Sequence, residues 1–130
     1  MATGPGLAIV NIGQVAIRVK DLERAVAFYR DTLGLTFLFS APPKLAFFDC
    51  GGVRLMLTVP EKPEFDHPSS IFYFKVADIR ATADTLQSRG VSFETPPHLI
   101  AAMPDHDLWM AFFRDADRNM LALMSEVPRG

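Results

Sequence analysis

The sequence contains little cysteine, no excess of positive charge and no long hydrophobic run. Its one cysteine, Cys50, cannot form an internal disulfide, which favours a reducing, cytoplasmic location. The 13 Lys and Arg against 15 Asp and Glu give a formal net charge of −2, which argues against nucleic acid or an anionic membrane surface as a partner. No apolar run approaches the roughly 18 residues that a membrane-spanning helix needs. We therefore expect neither a nucleic-acid partner nor a membrane partner.

The composition is that of one folded domain. The chain has 130 residues, 49% of them hydrophobic, and includes 11 Phe. Intrinsically disordered chains have few aromatic residues and high net charge, so disorder is excluded. A chain of this length buries enough surface for a hydrophobic core, and we expect a single domain over residues 1–130.

The first half of the chain predicts a βαβββ module over residues 9–59. Apolar and polar residues alternate over 9–19, which predicts a strand, and Asp21 is placed to cap a following helix. Apolar residues then recur at helical spacing up to Leu33, and Gly34 is suited to end that helix. Three further strands are predicted at 35–39, 45–49 and 53–59.

The second half repeats this order after a linker of prolines and charges at 60–70. Ala46-Phe47-Phe48 matches Ala111-Phe112-Phe113, and Leu55 and Leu57 match Leu121 and Leu123. An internal duplication explains matches that occur in the same order in both halves. We predict a second βαβββ module over 71–127, in which segment 94–109, with three prolines, forms a long loop. The predicted fold class is α+β, with two βαβββ modules in tandem.

Two segments resemble the vicinal oxygen chelate superfamily, which includes glyoxalase I, bleomycin-resistance proteins and extradiol dioxygenases. Residues 15–35 resemble the first strand and helix of that family, and Asp-Ala-Asp-Arg-Asn-Met-Leu at 115–121 is similar to its Asp-Pro-Asp-Gly-Asn turn. The resemblance spans about residues 12–126. It implies a cupped, partly open mixed sheet built from both modules, and a homodimer.

The resemblance also locates the positions where the family's enzymes hold a divalent metal. Four ligands come from the first and fourth strands of each module, and here they fall on Gln14, Met56, Ile71 and Ala122. Ile and Ala have no donor atom, and a thioether suits soft ions rather than Zn²⁺, Ni²⁺, Fe²⁺ or Mn²⁺. We therefore predict no metal at these positions and no cofactor.

A cup without metal can still bind a small molecule. Strand alternation places apolar side chains and a few polar ones on the cup wall, which is typical of a site for an amphipathic or aromatic ligand. The alternative is that these side chains fill the cup and leave no cavity. Trp109, at the end of the predicted loop, is added to the wall residues. The candidates for ligand contact are Gln14, Arg18, Met56, Thr58, Ile71, Tyr73, Trp109, Met120, Ala122 and Met124.

Catalysis is the alternative function. His98 and His106 match no metal-binding spacing, but an imidazole near the cup could transfer protons or hold a displaced metal. The catalytic candidates are His106, Asp105 and Tyr73, with Gln14 as an orienting group. Three hypotheses stay open: a binding protein of the bleomycin-resistance type, a superfamily enzyme related to the lyases, isomerases or dioxygenases, and an interaction subunit with a filled cup.

Overall fold

Two four-stranded mixed sheets form the framework of the protein. The computed structural model describes residues 9–41 and 43–129. The strands are β1 (Gln14–Arg18), β2 (Thr36–Ala41), β3 (Leu45–Cys50), β4 (Val53–Thr58), β5 (Phe72–Lys75), β6 (Phe93–Ala102), β7 (His106–Arg114) and β8 (Met120–Pro128). The first sheet has the order β1-β4-β3-β2 and the second the order β5-β8-β7-β6. Strands β1 and β4 are parallel, as are β5 and β8, whereas the other neighbours are antiparallel.

One α-helix follows the first strand of each sheet. Helix α1 (Leu22–Ala27) begins at Asp21, whose carboxylate accepts the N–H of Arg24, and it continues as a π-helix over Phe28–Thr32. Helix α2 (Ile79–Ser88) begins in the same way at Asp78. A 3₁₀ turn at Pro63–Phe65 lies between the modules. Among the residues described, no helix is long and apolar enough to cross a membrane.

The internal duplication extends to the residue-by-residue pairing of the strands. The equivalent pairs are Val15–Leu55 with Phe72–Leu121, and Ile17–Leu57 with Phe74–Leu123. Leu121 and Leu123 in these pairs are the residues that the sequence repeat matches to Leu55 and Leu57. The prediction of an α+β fold with two tandem βαβββ modules is confirmed.

A single hydrophobic core joins the two modules. Its buried members come from both sheets and both helices: Ile17, Val19, Ala25, Tyr29, Ala46, Phe48, Leu55, Leu57, Ile79, Ala83, Leu86, Val91, Ala111, Phe113, Leu121 and Leu123. The guanidinium of Arg89, which follows α2, donates to the carbonyl of Thr32 at 2.9 Å. Because the helices and one face of each sheet pack into this core, the opposite face of each sheet points away from it. We call these the outward faces.

The turn before β8 connects the modules through polar contacts. The carboxylate of Asp115, only 5% exposed, accepts the hydroxyl of Tyr29 at 2.7 Å and the backbone N–H groups of Asp117 and Asn119, each at 2.8 Å. The side-chain amide of Asn119 donates to the carbonyl of Arg18 at 2.9 Å. The turn therefore connects the second sheet to β1 and to the π-helix that continues α1.

The structure differs from the sequence prediction in two segments. The first strand begins at Gln14 rather than at residue 9, and Ile9 and Val10 are each 88% exposed, because no neighbouring strand pairs with them among the described residues. Segment 94–109 is not a long loop; β6 and β7 form a hairpin there. Prolines fit because β6 is an edge strand that needs no N–H on its open side, and its pairing has several register shifts. Residues 1–8, Pro42 and residue 130 lie outside the described residues.

Candidate functional site

A cavity of about 630 Å³ lies on the outward face of the first sheet. Its floor follows from strand alternation: β1 and β4 direct Ile17 and Leu57 into the core, so Ala16, Met56 and Thr58 face outward. Ala16 is paired with Met56 in the parallel register. Because alternate residues of a strand point to opposite faces, the residues that pack against the helices determine which of their neighbours line the cavity.

The linker provides the second wall of this cavity. Its contributions are Pro60, Glu61, Lys62, Phe65, His67 and Ser69, and the loop and strand residues Ala41, Pro43, Lys44, Leu45 and Val59 complete the lining. The connection at 60–70 is longer than the usual roughly four to six residues. This length is the one signal in the sequence that could have indicated a role for the linker in the site. The linker residues were not among the predicted site residues, since prolines and charges are also typical of a plain connector.

The cavity combines apolar walls with a charged rim. Leu45, Met56 and Phe65 provide apolar surface, whereas Arg18 and Lys44 carry the positive charges on the sheet side. Both cations have partners in the linker. Arg18 Nη1 lies 3.0 Å from Asp66 Oδ1, and Lys44 Nζ lies 3.7 Å from Glu61 Oε2. This combination suits a small amphipathic or aromatic molecule.

The candidates on the first sheet lie close together. Arg18, Met56 and Thr58 all line the cavity. Gln14 lies on the same face of β1, two residues before Ala16, and its amide donates to the Met56 sulfur at 3.7 Å. Gln14 is outside the lining itself.

The candidates from the second module lie on a different surface. Tyr73 is paired with Ala122, and its ring meets that of Phe112 edge to face with 6.0 Å between centroids. Ile71 and Tyr73 are 44% and 45% exposed, whereas Ala122 is fully buried. Strand alternation places Met120 and Met124 on the same outward face as Ala122. The residues of this second face do not line the cavity of the first sheet.

Trp109 lies on the helix side of the second sheet. Its side chain points to the same side of β7 as those of Ala111 and Phe113, which are buried, and it packs against the core. The guanidinium of Arg80, on α2, lies over the indole ring at 4.9 Å from its centroid. The structure therefore does not bring Trp109 together with the other ligand-contact candidates.

His106 and Asp105 form a hydrogen-bonded pair at the turn of the β6–β7 hairpin. His106 Nδ1 lies 2.7 Å from Asp105 Oδ1, and this hydrogen bond lowers the pKa of the Asp105 carboxyl. An imidazole oriented in this way can exchange a proton through Nε2. The ring nitrogen Nδ1 of His98 is instead 2.9 Å from the carbonyl oxygen of Pro96. Neither histidine lines the cavity on the first sheet.

The four positions onto which the resemblance places the metal ligands do not carry a donor set for a divalent metal. Gln14 and Met56 are in contact and offer one amide oxygen and one thioether, while Ile71 and Ala122 offer no donor. Within residues 9–41 and 43–129, no group of three or more His, Cys, Asp or Glu side chains is placed to hold a metal ion. The residues present therefore do not fit the metal of the related enzymes.

Tandem βαβββ modules with open outward sheet faces define a fold class that carries several kinds of binding site and chemistry. A family model described as the Glyoxalase/Bleomycin resistance protein/Dioxygenase superfamily matches residues 11–123. The chain belongs to this superfamily.

Relatives at modest identity share this fold over most of their length. The chain is 29% identical over 126 residues to YraH of Bacillus subtilis (strain 168), described as uncharacterized, with 85% of this chain and 94% of YraH covered. A superfamily member from Sphaerobacter thermophilus DSM 20745 is 26% identical, with a TM-score of 0.76 and 92% and 100% of the two chains covered. TnmS3 from Streptomyces sp. CB03234, described as an antibiotic binding protein, is 25% identical, with a TM-score of 0.75 and coverages of 92% and 98%.

Proposed function

We propose that the protein binds a small amphipathic or aromatic molecule in the cavity on the first sheet. The observation that carries this proposal is the apolar cavity of about 630 Å³ between the outward sheet face and the linker. Its volume falls in the usual range for small-molecule sites, roughly 300–1,000 Å³. The similarity to a protein described as antibiotic binding supports a binding role.

The fluorogenic probe N-phenyl-1-naphthylamine, which is uncharged and aromatic, tests this proposal. We expect saturable binding with a rise in fluorescence. Ala16→Phe places a ring on the cavity floor without touching the core, because Ala16 is an exposed residue on the outward face. It should weaken binding about tenfold or more, since the ring occupies the volume that the probe needs.

Thr36→Phe is the matched control. Thr36 is an exposed residue of β2 in the same sheet and lies outside the lining, so its substitution should leave binding within about twofold of the original. Equal losses in Ala16→Phe and Thr36→Phe would place the probe elsewhere. The absence of saturable binding to the unmodified protein would overturn the proposal.

We further propose that the protein is a homodimer. The outward face of the second sheet leaves Ile71 and Tyr73 almost half exposed. Exposed apolar side chains on one face favour association, and closed two-fold symmetry is the commonest arrangement of identical chains. In such a dimer, a second copy covers this face and contacts the partly exposed Met120 and Met124, whereas Ala122 is fully buried and has no surface left to contact a ligand. Sedimentation equilibrium should give twice the 14.4 kDa chain mass at micromolar concentration, and the monomer mass would contradict the dimer.

We propose that binding needs no metal and that the protein acts in the cytoplasm. The first proposal rests on the lack of metal-binding donors at Gln14, Met56, Ile71 and Ala122. The second rests on the single cysteine. Elemental analysis of purified protein should find much less than one equivalent of Ni, Zn, Mn or Fe per chain. About one equivalent would overturn the metal-free proposal, and His98, His106 and Asp105 are then the first residues to substitute.

The enzyme alternative has one supporting observation, the oriented imidazole of His106. Since this pair lies outside the cavity, binding is the better supported function. His106→Asn would abolish turnover of any substrate found by screening if the enzyme alternative holds, whereas it should leave binding of the naphthylamine probe unchanged.

A further inference from the structure

The linker covers the cavity without being part of the hydrophobic core. Residues 61–68 are all exposed, so no apolar side chain in this stretch is buried against the protein. Phe65, which lines the cavity, is 63% exposed. A segment with few buried contacts opens at low cost in free energy, because little apolar surface is transferred to water when it moves.

Two ion pairs hold the linker to the first sheet. One joins Asp66 to Arg18 at the end of β1, and the other joins Glu61 to Lys44 just before β3. The backbone hydrogen bonds of Phe65 and Asp66 stay within the linker, with acceptors at Lys62 and Pro63.

Firmer attachment begins only at the two ends of this segment. There the Val59 N–H donates to Lys44 O at 3.0 Å, and Ser69 Oγ accepts the Arg18 N–H at 3.0 Å. Each contact involves a backbone N–H and lies at one end of the segment, so the two are placed to act as hinges.

Both ion pairs are open to solvent. The side chains of Arg18 and Asp66 are 33% and 57% exposed, and those of Lys44 and Glu61 are 41% and 69% exposed. Exposed pairs of this kind are weak individually and are screened by salt. They can therefore favour a closed position while still allowing frequent opening.

We propose that the linker is a flap over the cavity, held closed by the Arg18–Asp66 and Lys44–Glu61 ion pairs, and that it opens to admit and release the ligand. This inference rests on the proposed binding function. The apolar floor supplies affinity, whereas the ion pairs set how fast the ligand enters and leaves. Salt should therefore change the rates of binding more than the affinity.

Stopped-flow fluorescence with N-phenyl-1-naphthylamine measures both rates. The variant Glu61→Gln/Asp66→Asn removes both ion pairs and keeps the side-chain sizes. We expect its association and dissociation rates each to rise about fivefold. Asp66→Asn alone, at a residue outside the lining, should raise both rates by a smaller factor and change the Kd by less than about twofold. Glu64→Gln is the matched control, because Glu64 lies in the same linker, outside the lining and without an ion pair in the described part of the chain. Its rates should equal those of the unmodified protein.

A salt series keeps the test independent of any effect of the substitutions on folding. Between about 0.02 M and about 0.5 M NaCl, both rates of the unmodified protein should rise toward those of the double variant, whose own rates should change little. Equal rates in the two proteins, or parallel salt responses, would overturn the flap while leaving the binding function intact. Failure of the probe to bind any of the proteins would instead overturn the proposed function on which the flap rests.

Discussion

Replacing Tyr29 by Phe should destabilise the protein by about 2 kcal/mol through the loss of one hydroxyl group. Tyr29 is fully buried, and its hydroxyl donates at 2.7 Å to Asp115, which is 5% exposed. A hydrogen bond to a charged group contributes about 1.5–3 kcal/mol, and a buried acceptor that loses a donor adds to the cost. Asp115 keeps the donors from Asp117 and Asn119, which holds the expected loss near the middle of this range. The aromatic contact with Phe48 is retained.

Urea unfolding followed by the fluorescence of Trp109, the single tryptophan, measures this loss. With a slope of about 2 kcal/mol per molar urea, the midpoint should fall by about 1 M at a fixed protein concentration. Tyr73→Phe is the matched control, since the other tyrosine is 45% exposed and its hydroxyl has no hydrogen bond within the described residues. Its midpoint should change by no more than the equivalent of about 0.5 kcal/mol.

A double-mutant cycle tests whether the loss comes from the contact with Asp115. In an Asp115→Ala background, Tyr29→Phe should cost much less than in the unmodified protein, because the acceptor is already gone. An equal cost in both backgrounds, or a cost below about 0.5 kcal/mol in the first, would refute the reasoning.

Three further predictions concern single residues. Arg118 has a left-handed backbone with φ of 69°, so Arg118→Gly should stabilise the protein by about 1 kcal/mol in thermal unfolding, and an unchanged or lower Tm would contradict this. Burial raises the pKa of the Cys50 thiol, with a smaller effect from the Asp49 charge. Alkylation by iodoacetamide should therefore be slow at neutral pH and accelerate only above the ordinary pKa of a thiol. Rapid labelling at neutral pH would count against this prediction. Burial also raises the pKa of Tyr29 well above its ordinary value of 10.0, followed by the effect of Asp115. The folded state thus favours the neutral phenol, so this group's contribution to the free energy of unfolding is fully present below pH 10 and is lost as the pH rises above it. In Tyr29→Phe, the urea midpoint should therefore fall less at alkaline pH than it does in the unmodified protein.

The sequence predicted the parts of the fold that depend on local periodicity and repetition. Asp21 and Asp78 cap their helices as expected, and Gly34 adopts the positive φ that suits a helix end. The repeat predicted two equivalent modules, and the equivalent strand pairs of the two sheets agree with it, since both modules bury the same face of the same strands.

The remaining features depend on tertiary context. Prolines at 96 and 97 indicated a loop, but an edge strand with register shifts accommodates them. Trp109 was predicted near the ligand because it lies at the end of that loop. In the structure it belongs to β7, where alternation with the buried Ala111 and Phe113 directs its ring toward the helices. The cavity wall formed by the linker could not be predicted, because strand alternation is informative only about residues within strands.

The linker occurs once in the chain, although the modules occur twice. Duplication produced two sheets with equivalent pairing, but within residues 9–41 and 43–129 the segment that lines a cavity over an outward face belongs to the first sheet. The two halves thus share the same scaffold but differ in their ability to enclose a ligand. Any molecule enclosed beneath the linker is limited to a stoichiometry of one per chain, whatever the number of chains in the assembly, and calorimetric titration counts that ratio directly.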